Sequence, residues 1–178
     1  KKNIVFGIAR AGNVIGGGDW ADDRLIPDCM KSWSRKEMAK IRNPKSTRPW
    51  QHVIEAICGY LTFAQKLKIN SKLNGEVFNF GPDNKNNFSV INLIKELEKN
   101  NLKLKWKIVE EKNNIESNLL KINSNKAKNL LRWKCILSFK ETINHLAEWY
   151  KEYYNKKNMY SFTINQIYKY EKKLLKYF

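Results

Sequence analysis

The chain has 178 residues and carries 34 Lys and Arg against 17 Asp and Glu, a formal net charge of +17. A hydrophobic fraction of 42% with 12% aromatics is enough to build a core and excludes wholesale disorder, and no apolar run approaches the ~20 residues of a membrane-spanning helix. The three cysteines, Cys29, Cys58 and Cys135, are odd in number and far apart, so they offer neither a disulfide framework nor a metal cluster and fit a reducing cytosol.

The punctuation residues divide the chain unevenly. All eight Gly, all four Pro and all five Asp fall within residues 1–83. The first part is therefore expected to be rich in strands and loops and the second mostly helical. Residues 4–9, Ile-Val-Phe-Gly-Ile-Ala, form a continuous apolar run expected as a strand buried on both faces. The run starts with no turn or cap before it, as though in the middle of a fold, and without the pattern of a signal peptide. A loop follows at Gly16-Gly17-Gly18-Asp19. Residues 24–36 read as a short helix with Pro27 in its first turn, and Asn43-Pro44 as a turn. Residues 52–68 carry apolar side chains at 53, 54, 57, 60, 61, 64 and 67, the stripe of an amphipathic helix. Residues 75–80 alternate as a strand closed by Gly81-Pro82.

Three later helices are marked by their caps. Ser89 is an expected N-cap, with Phe88 and Leu93 as its hydrophobic staple. Ser138 with Glu141, and Thr163 with Gln166, have capping-box spacing. Residues 104–109 read as a strand and 124–131 as a short helix. Strands alternating with helices predict an α/β fold.

A charge of +17 is the electrostatic mark of a nucleic-acid-binding module, but its make-up points elsewhere. Lys supplies 28 of the 34 cations and Arg only 6, while Asn occurs 22 times, a drift of composition over the whole chain. Arg is the residue for bidentate phosphate contacts, and five of the six (Arg10, Arg24, Arg35, Arg42 and Arg48) lie in the first 48 residues. Arg10, Arg24, Arg42 and Arg48 flank loops beside expected strand ends, where α/β proteins bind ligands, and so make an anionic ligand a candidate. Gly16–Ala21 loosely fits a dinucleotide-binding loop. Yet the strand ends several residues earlier, and Asp19, Asp22 and Asp23 would repel a pyrophosphate, so a tight structural loop is preferred. The carboxylates, Glu55 among them, are scattered with no acid–base spacing. His52 and His145 stand alone and are read as capping, packing or surface residues. The aromatic tail from Tyr150 is read as an amphipathic helix packed on the domain rather than a stacking surface for single-stranded nucleic acid.

Several stretches together resemble one family, the CDP-glucose 4,6-dehydratases of the extended short-chain dehydrogenase/reductases. They are Ala9-Arg10-Ala11-Gly12-Asn13-Val14-Ile15-Gly16-Gly17-Gly18-Asp19-Trp20, Asp23-Arg24-Leu25-Ile26-Pro27-Asp28, Ile41-Arg42-Asn43-Pro44, Thr47-Arg48-Pro49-Trp50-Gln51-His52-Val53, Gly59-Tyr60-Leu61 and Phe78-Asn79-Phe80-Gly81-Pro82. Looser matches follow at Glu116, Ser124 to Ala127, Leu131, Trp133, Trp149-Tyr150, Phe162-Thr163, Gln166-Ile167 and Tyr170. Pro-Trp-Gln-His after Arg48 is similar to the CDP-glucose branch in particular, where related enzymes usually have Asp.

The resemblance implies a lyase with tightly bound NAD. The sugar is oxidised at C4, water leaves across C5 and C6, and the hydride returns to C6. The product feeds deoxysugar synthesis for surface polysaccharide (O-antigen, lipopolysaccharide). By matched position, Asn13, Arg24, Leu25, Arg48, Asn79 and Glu116 would contact the nucleotide sugar, with Arg48 on the diphosphate, and Val14 would lie beside the nicotinamide. The family's glycine-rich loop and Tyr-x-x-x-Lys pair lie upstream of the strand at 4–9. The chain thus resembles the C-terminal half of such an enzyme. Residues 1–20 and about 75–82 would be the last strands of a Rossmann-like sheet, the remainder mainly the small nucleotide-sugar-binding domain, and the NAD-binding half absent. No catalytic residue is assigned in this chain, which is expected to be inactive alone.

The expected setting is cytoplasmic, with a CDP-sugar as substrate, neither membrane nor nucleic acid as partner, and a homo-oligomer at full length. Ile115, Asn123, Arg132 and Cys135 depart from the family's usual His, Asp, Gly and Pro, which predicts a changed pocket around Glu116 and an altered turn near 132. A basic nucleic-acid-binding module, another sugar-nucleotide dehydratase or epimerase, and a non-catalytic subunit completed by a separate N-terminal half are the alternatives.

Overall fold

The structure is a computed structural model and describes residues 4–83, 87–109 and 119–177. It is an α/β arrangement of short parallel ribbons and covering helices. Strand β1 (Ile8–Ala11) and strand β2 (Asn13–Ile15) follow one another with a break at Gly12. β1 pairs in parallel with β6 (Val77–Phe80), Ile8 opposite Val77 and Ala11 opposite Phe80. β2 pairs in parallel with β5 (Trp50–His52), Asn13 opposite Trp50 and Ile15 opposite His52. A second parallel ribbon joins β3 (Met38–Ile41) to β8 (Lys105–Ile108). The antiparallel pair β4 (Thr47–Arg48) and β7 (Phe88–Ser89) ties the chain before β5 to the chain before α3 (Val90–Lys99).

Two of the expected caps form as their chemistry requires. Ser89 Oγ accepts the Asn92 N–H while Asn92 Oδ1 accepts the Ser89 N–H, a capping box with Asn in the acceptor role. Ser138 and Glu141 make the same reciprocal pair at the start of α4 (Phe139–Tyr154). The third cap lies elsewhere. Helix α5 (Met159–Leu174) begins before Thr163, because Asn158 Oδ1 accepts the Ser161 N–H and satisfies the first turn earlier in the chain. Thr163 and Gln166 instead face α4, where Thr163 accepts from Trp149 Nε1 at 2.9 Å and Gln166 donates to the His145 carbonyl at 2.8 Å.

The main core joins α1 (Leu25–Ser34), β3, α3 and α4 through Met30, Ile41, Leu93, Leu97, Ile143 and Leu146, all fully buried. A second core packs Phe63 of α2 (Val53–Ile69) against Phe78, Phe80, Leu131 and Trp133. Two burial expectations are corrected. The apolar run at 4–9 enters its strand only at Ile8, and Ile4, Val5, Phe6 and Ile8 are exposed, because among the described residues β1 has β6 alone beside it. In α2 the buried face is Glu55, Ala56, Gly59 and Phe63, while Ile57, Tyr60 and Leu61 of the expected stripe point outward. This helix is apolar on more than one side, so periodicity alone could not say which side packs on β1 and β6. The segment expected as a short helix ends in a π-helical turn, Ala127–Leu131, closed by Arg132. Arg132 takes φ +57°, the left-handed geometry that favours glycine.

Candidate functional site

Beyond the C-terminal end of β1 lies a cavity of about 620 Å³. Its walls bring together Asn13 and Val14 of β2, Arg24 and Leu25 at the entrance of α1, Arg42 just after β3, and Arg48 of β4. Lys40 adds a fourth cation, against three carboxylates, Asp19, Asp23 and Asp28.

The three arginines of the wall are held by local contacts. Arg24 occupies the N-cap position of α1 in extended conformation, with no side-chain cap bond of its own, and donates to Asp19 Oδ2 at 3.1 Å. Arg42 pairs with Asp23 at 2.8 Å, and Asp23 itself sits at φ +59°. Arg48 is 6% exposed and donates to the Thr47 carbonyl at 2.9 Å. An anion in the cavity would offset the desolvation of this guanidinium. Burial raises the Asp28 carboxyl above its usual range, against the lowering effect of Lys31. The arrangement suits a ligand that carries negative charge at several oxygens and presents an uncharged part to Asn13 and Val14.

Of the other residues singled out in the sequence, Arg10 is exposed on β1, in register with Asn79 of β6, and lies away from the cavity. Asn79 donates to the Asn123 carbonyl at 3.2 Å and is also no part of the cavity wall. Asn123 accepts the Asn125 N–H through Oδ1 at 2.9 Å, a turn bond that the usual Asp would make equally well. Glu116 and Ile115 lie outside the described residues. The Gly16–Gly18 segment is a structural loop. Gly18 is at φ +80°, and a Cβ on Gly17 would run into the Trp149 ring.

His52 is the N-cap of α2, its Nδ1 accepting the Ile54 N–H, and its ring meets His145 edge-on at 5.6 Å. Burial drives His52 down to about 3, helped by His145, and burial lowers His145 too. Both are packing residues.

Sequence reasoning passed over Glu55. It is buried in α2 and accepts three hydrogen bonds, from the Ile136 N–H (2.8 Å), the Leu137 N–H (2.7 Å) and the Tyr170 hydroxyl (2.9 Å). One carboxylate thereby joins α2, the segment before α4, and α5. Burial pushes its carboxyl above the usual range, and the same three bonds work against that rise. Its one signal in the sequence was a lone acid in the apolar first half of the helix. Gln51 was missed similarly: buried in β5, it donates to the Phe80 carbonyl at 2.7 Å and so ties β5 to β6.

No family model matches the chain. Among solved structures it resembles a UDP-glucose 4-epimerase of Stenotrophomonas maltophila with bound NAD (TM-score 0.72, 14% identity, 84% of this chain and 48% of that one). It also resembles the dTDP-glucose 4,6-dehydratase of Bacillus anthracis in complex with NAD (TM-score 0.67, 19% identity, 82% and 44%). A third is the UDP-glucuronic acid 4-epimerase of Bacillus cereus (TM-score 0.69, 22% identity, 82% and 45%). The fold is that of the Rossmann-type sugar-nucleotide dehydratases and epimerases, matched over part of their length. Within that class the chain is homologous to a particular enzyme, the CDP-glucose 4,6-dehydratase of Salmonella typhimurium, at 38% identity over 151 residues. The match takes in 84% of this chain and 42% of that protein, so the chain spans less than half the length of the curated relative. Among the described residues no helix is long and apolar enough to cross a membrane.

Proposed function

We propose that this chain is the nucleotide-sugar-binding part of an NAD-dependent CDP-glucose 4,6-dehydratase, a lyase that forms CDP-4-dehydro-6-deoxyglucose for surface polysaccharides in the cytoplasm. The observation that carries this reading is the convergence of Arg24, Arg42 and Arg48, from three separate segments, on one cavity beyond the end of β1. The homology to a CDP-glucose 4,6-dehydratase supports CDP as the nucleotide.

In this reading Arg48, the most buried of the three, grips the diphosphate, and Arg24 and Arg42 neutralise its outer oxygens. Leu25 borders the nucleotide. Asn13 hydrogen-bonds the sugar and holds it against the strand end. Asn79 serves the same ligand from outside this cavity wall, and Glu116 is assigned to it by matched position alone. Of a bound NAD this chain touches little: Val14 offers the nicotinamide an apolar neighbour, and the Gly16–Gly18 loop is filled by Trp149 rather than open to a pyrophosphate. NAD, when bound, supplies the hydride acceptor for the sugar. The two Tyr-x-x-x-Lys spacings in the chain, Tyr153 with Lys157 and Tyr168 with Lys172, belong to the α4–α5 region and line no part of the cavity. The 178-residue chain alone is therefore expected to bind the nucleotide sugar and not to turn it over.

Calorimetric titration with cytidine, CDP and CDP-glucose, and a turnover assay with NAD added, test this. Binding that requires the diphosphate, without dehydration, is the expected result. Equal affinity for cytidine and CDP would overturn the assignment of the arginines, and turnover would overturn the division of labour.

A further inference from the structure

The segment Gly16–Arg24 contributes both Asp19 and Arg24 to the cavity wall, yet most of what holds it comes from about 130 residues further on. The Tyr150 hydroxyl, on a fully buried side chain of α4, donates to the Asp19 carbonyl at 2.7 Å. Trp20 is packed edge-on against Tyr150 at 5.3 Å and at a tilt against Tyr153 at 4.7 Å. Gly17 sits so close to Trp149 that a Cβ would run into its ring, and the Trp149 Nε1 is anchored to Thr163 of α5. Lys31 of α1 also donates to the Trp20 carbonyl at 3.0 Å. The segment is thus held through its backbone and the Trp20 ring, while the Asp19 carboxylate accepts the Ala21 N–H through Oδ1 at 3.1 Å and Arg24 through Oδ2 at 3.1 Å.

We infer that Tyr150 is a positioning residue for anion binding. Through the Asp19 carbonyl it fixes the Asp19–Arg24 pair at the cavity mouth, and so α4 sets the affinity of a site that it does not touch. The inference rests on the proposed function for the identity of the anion, a nucleoside diphosphate. A free carbonyl at Asp19 would let the segment shift, and an arginine held within a narrow range of positions binds phosphate more tightly than one that must be ordered first.

The test is a double-mutant cycle on the full chain with CDP as the probe, using Tyr150→Phe, Arg24→Ala and the pair, with Tyr168→Phe on the exposed face of α5 as the control tyrosine. Tyr150→Phe removes one buried hydrogen bond and should weaken CDP about fivefold. Tyr168→Phe should leave affinity unchanged. The double variant should bind no more weakly than Arg24→Ala, since the hydroxyl acts through that arginine. Additive losses, or unchanged affinity in Tyr150→Phe, would overturn the inference. Trp149→Phe, which loses the Thr163 bond, gives a second measurement should Tyr150→Phe fold poorly, and it too should couple to Arg24→Ala.

If the unaltered chain binds neither CDP nor CDP-glucose, the proposed function fails. Hydrogen exchange of the Gly16–Arg24 amides then decides on Tyr150 alone. Faster exchange confined to that segment supports its bracing role, and exchange like that of the unaltered chain overturns it.

Discussion

Replacing Glu55 with Ala should cost about 3–4 kcal/mol of stability, a large part of the roughly 5–15 kcal/mol expected for a domain. The magnitude follows from what the carboxylate satisfies. Two buried backbone N–H groups, of Ile136 and Leu137, and the Tyr170 hydroxyl all point at it within 2.9 Å. Alanine leaves the two N–H groups with no acceptor, and each buried orphan costs about 1–3 kcal/mol. Relief from burying the carboxylate offsets part of this. Glu55→Gln distinguishes hydrogen bonding from charge: its carbonyl can keep both N–H groups while Tyr170 turns to accept from the amide, so the loss should be about 1 kcal/mol. Urea denaturation at pH 7 gives the two values, and hydrogen exchange at Ile136 and Leu137 shows where the loss is felt. The folded carboxyl lies above its ordinary value. Its contribution is therefore fully present below pH about 4.5 and declines as pH rises through the folded value, a trend that Glu55→Gln should abolish. An alanine variant within about 1 kcal/mol of the unaltered chain would refute the view that one acid joins these three segments.

Acid should act on His52 in the opposite sense. Its folded value, about 3, lies below the ordinary 6.5, so the unfolded chain takes up the proton first. Stability is complete above about pH 6.5 and falls by at most about 1.4 kcal/mol per pH unit below it. His52→Asn, which keeps an acceptor at the cap of α2, should flatten that loss in urea melts at pH 5 and pH 7; an unchanged slope would assign the sensitivity elsewhere. Arg132→Gly should raise stability by about 0.5–1 kcal/mol, and the melting temperature by about 1–4 °C, because φ +57° is free of strain only for glycine. A fall in melting temperature would contradict this. Retention on heparin should be lost at modest salt, as expected of a diffuse lysine charge; retention persisting at high salt would favour a nucleic-acid module.

Local chemistry in the sequence foretold most of the elements. Ser89 and Ser138 fix where α3 and α4 begin because a side-chain acceptor there competes with nothing else. The same pattern misled at Thr163 and Gln166, whose side chains serve the α4–α5 contact while Asn158 caps the helix. Burial was harder to read. In α2 an apolar side chain occurs on nearly every face, and the packed one is marked by Gly59 and by the lone acid Glu55 rather than by the stripe of larger residues. The cavity was legible through its arginines, which stand out against a background of lysine. Arg24, Arg42 and Arg48 do meet there, while Arg10, chosen on the same grounds, faces away on β1. No local pattern could have shown that Asp23 pairs with Arg42, or that Tyr150 reaches the Asp19 carbonyl, since these contacts exist only once separate segments are packed.

A crystal structure of the chain grown with CDP tests the central claim most directly. The diphosphate should lie in the cavity beyond β1, within hydrogen-bond distance of Arg48 and between Arg24 and Arg42, with the Gly16–Gly18 loop still closed on Trp149. A diphosphate bound on the Gly16–Gly18 loop, or on surface lysines away from the cavity, would contradict it.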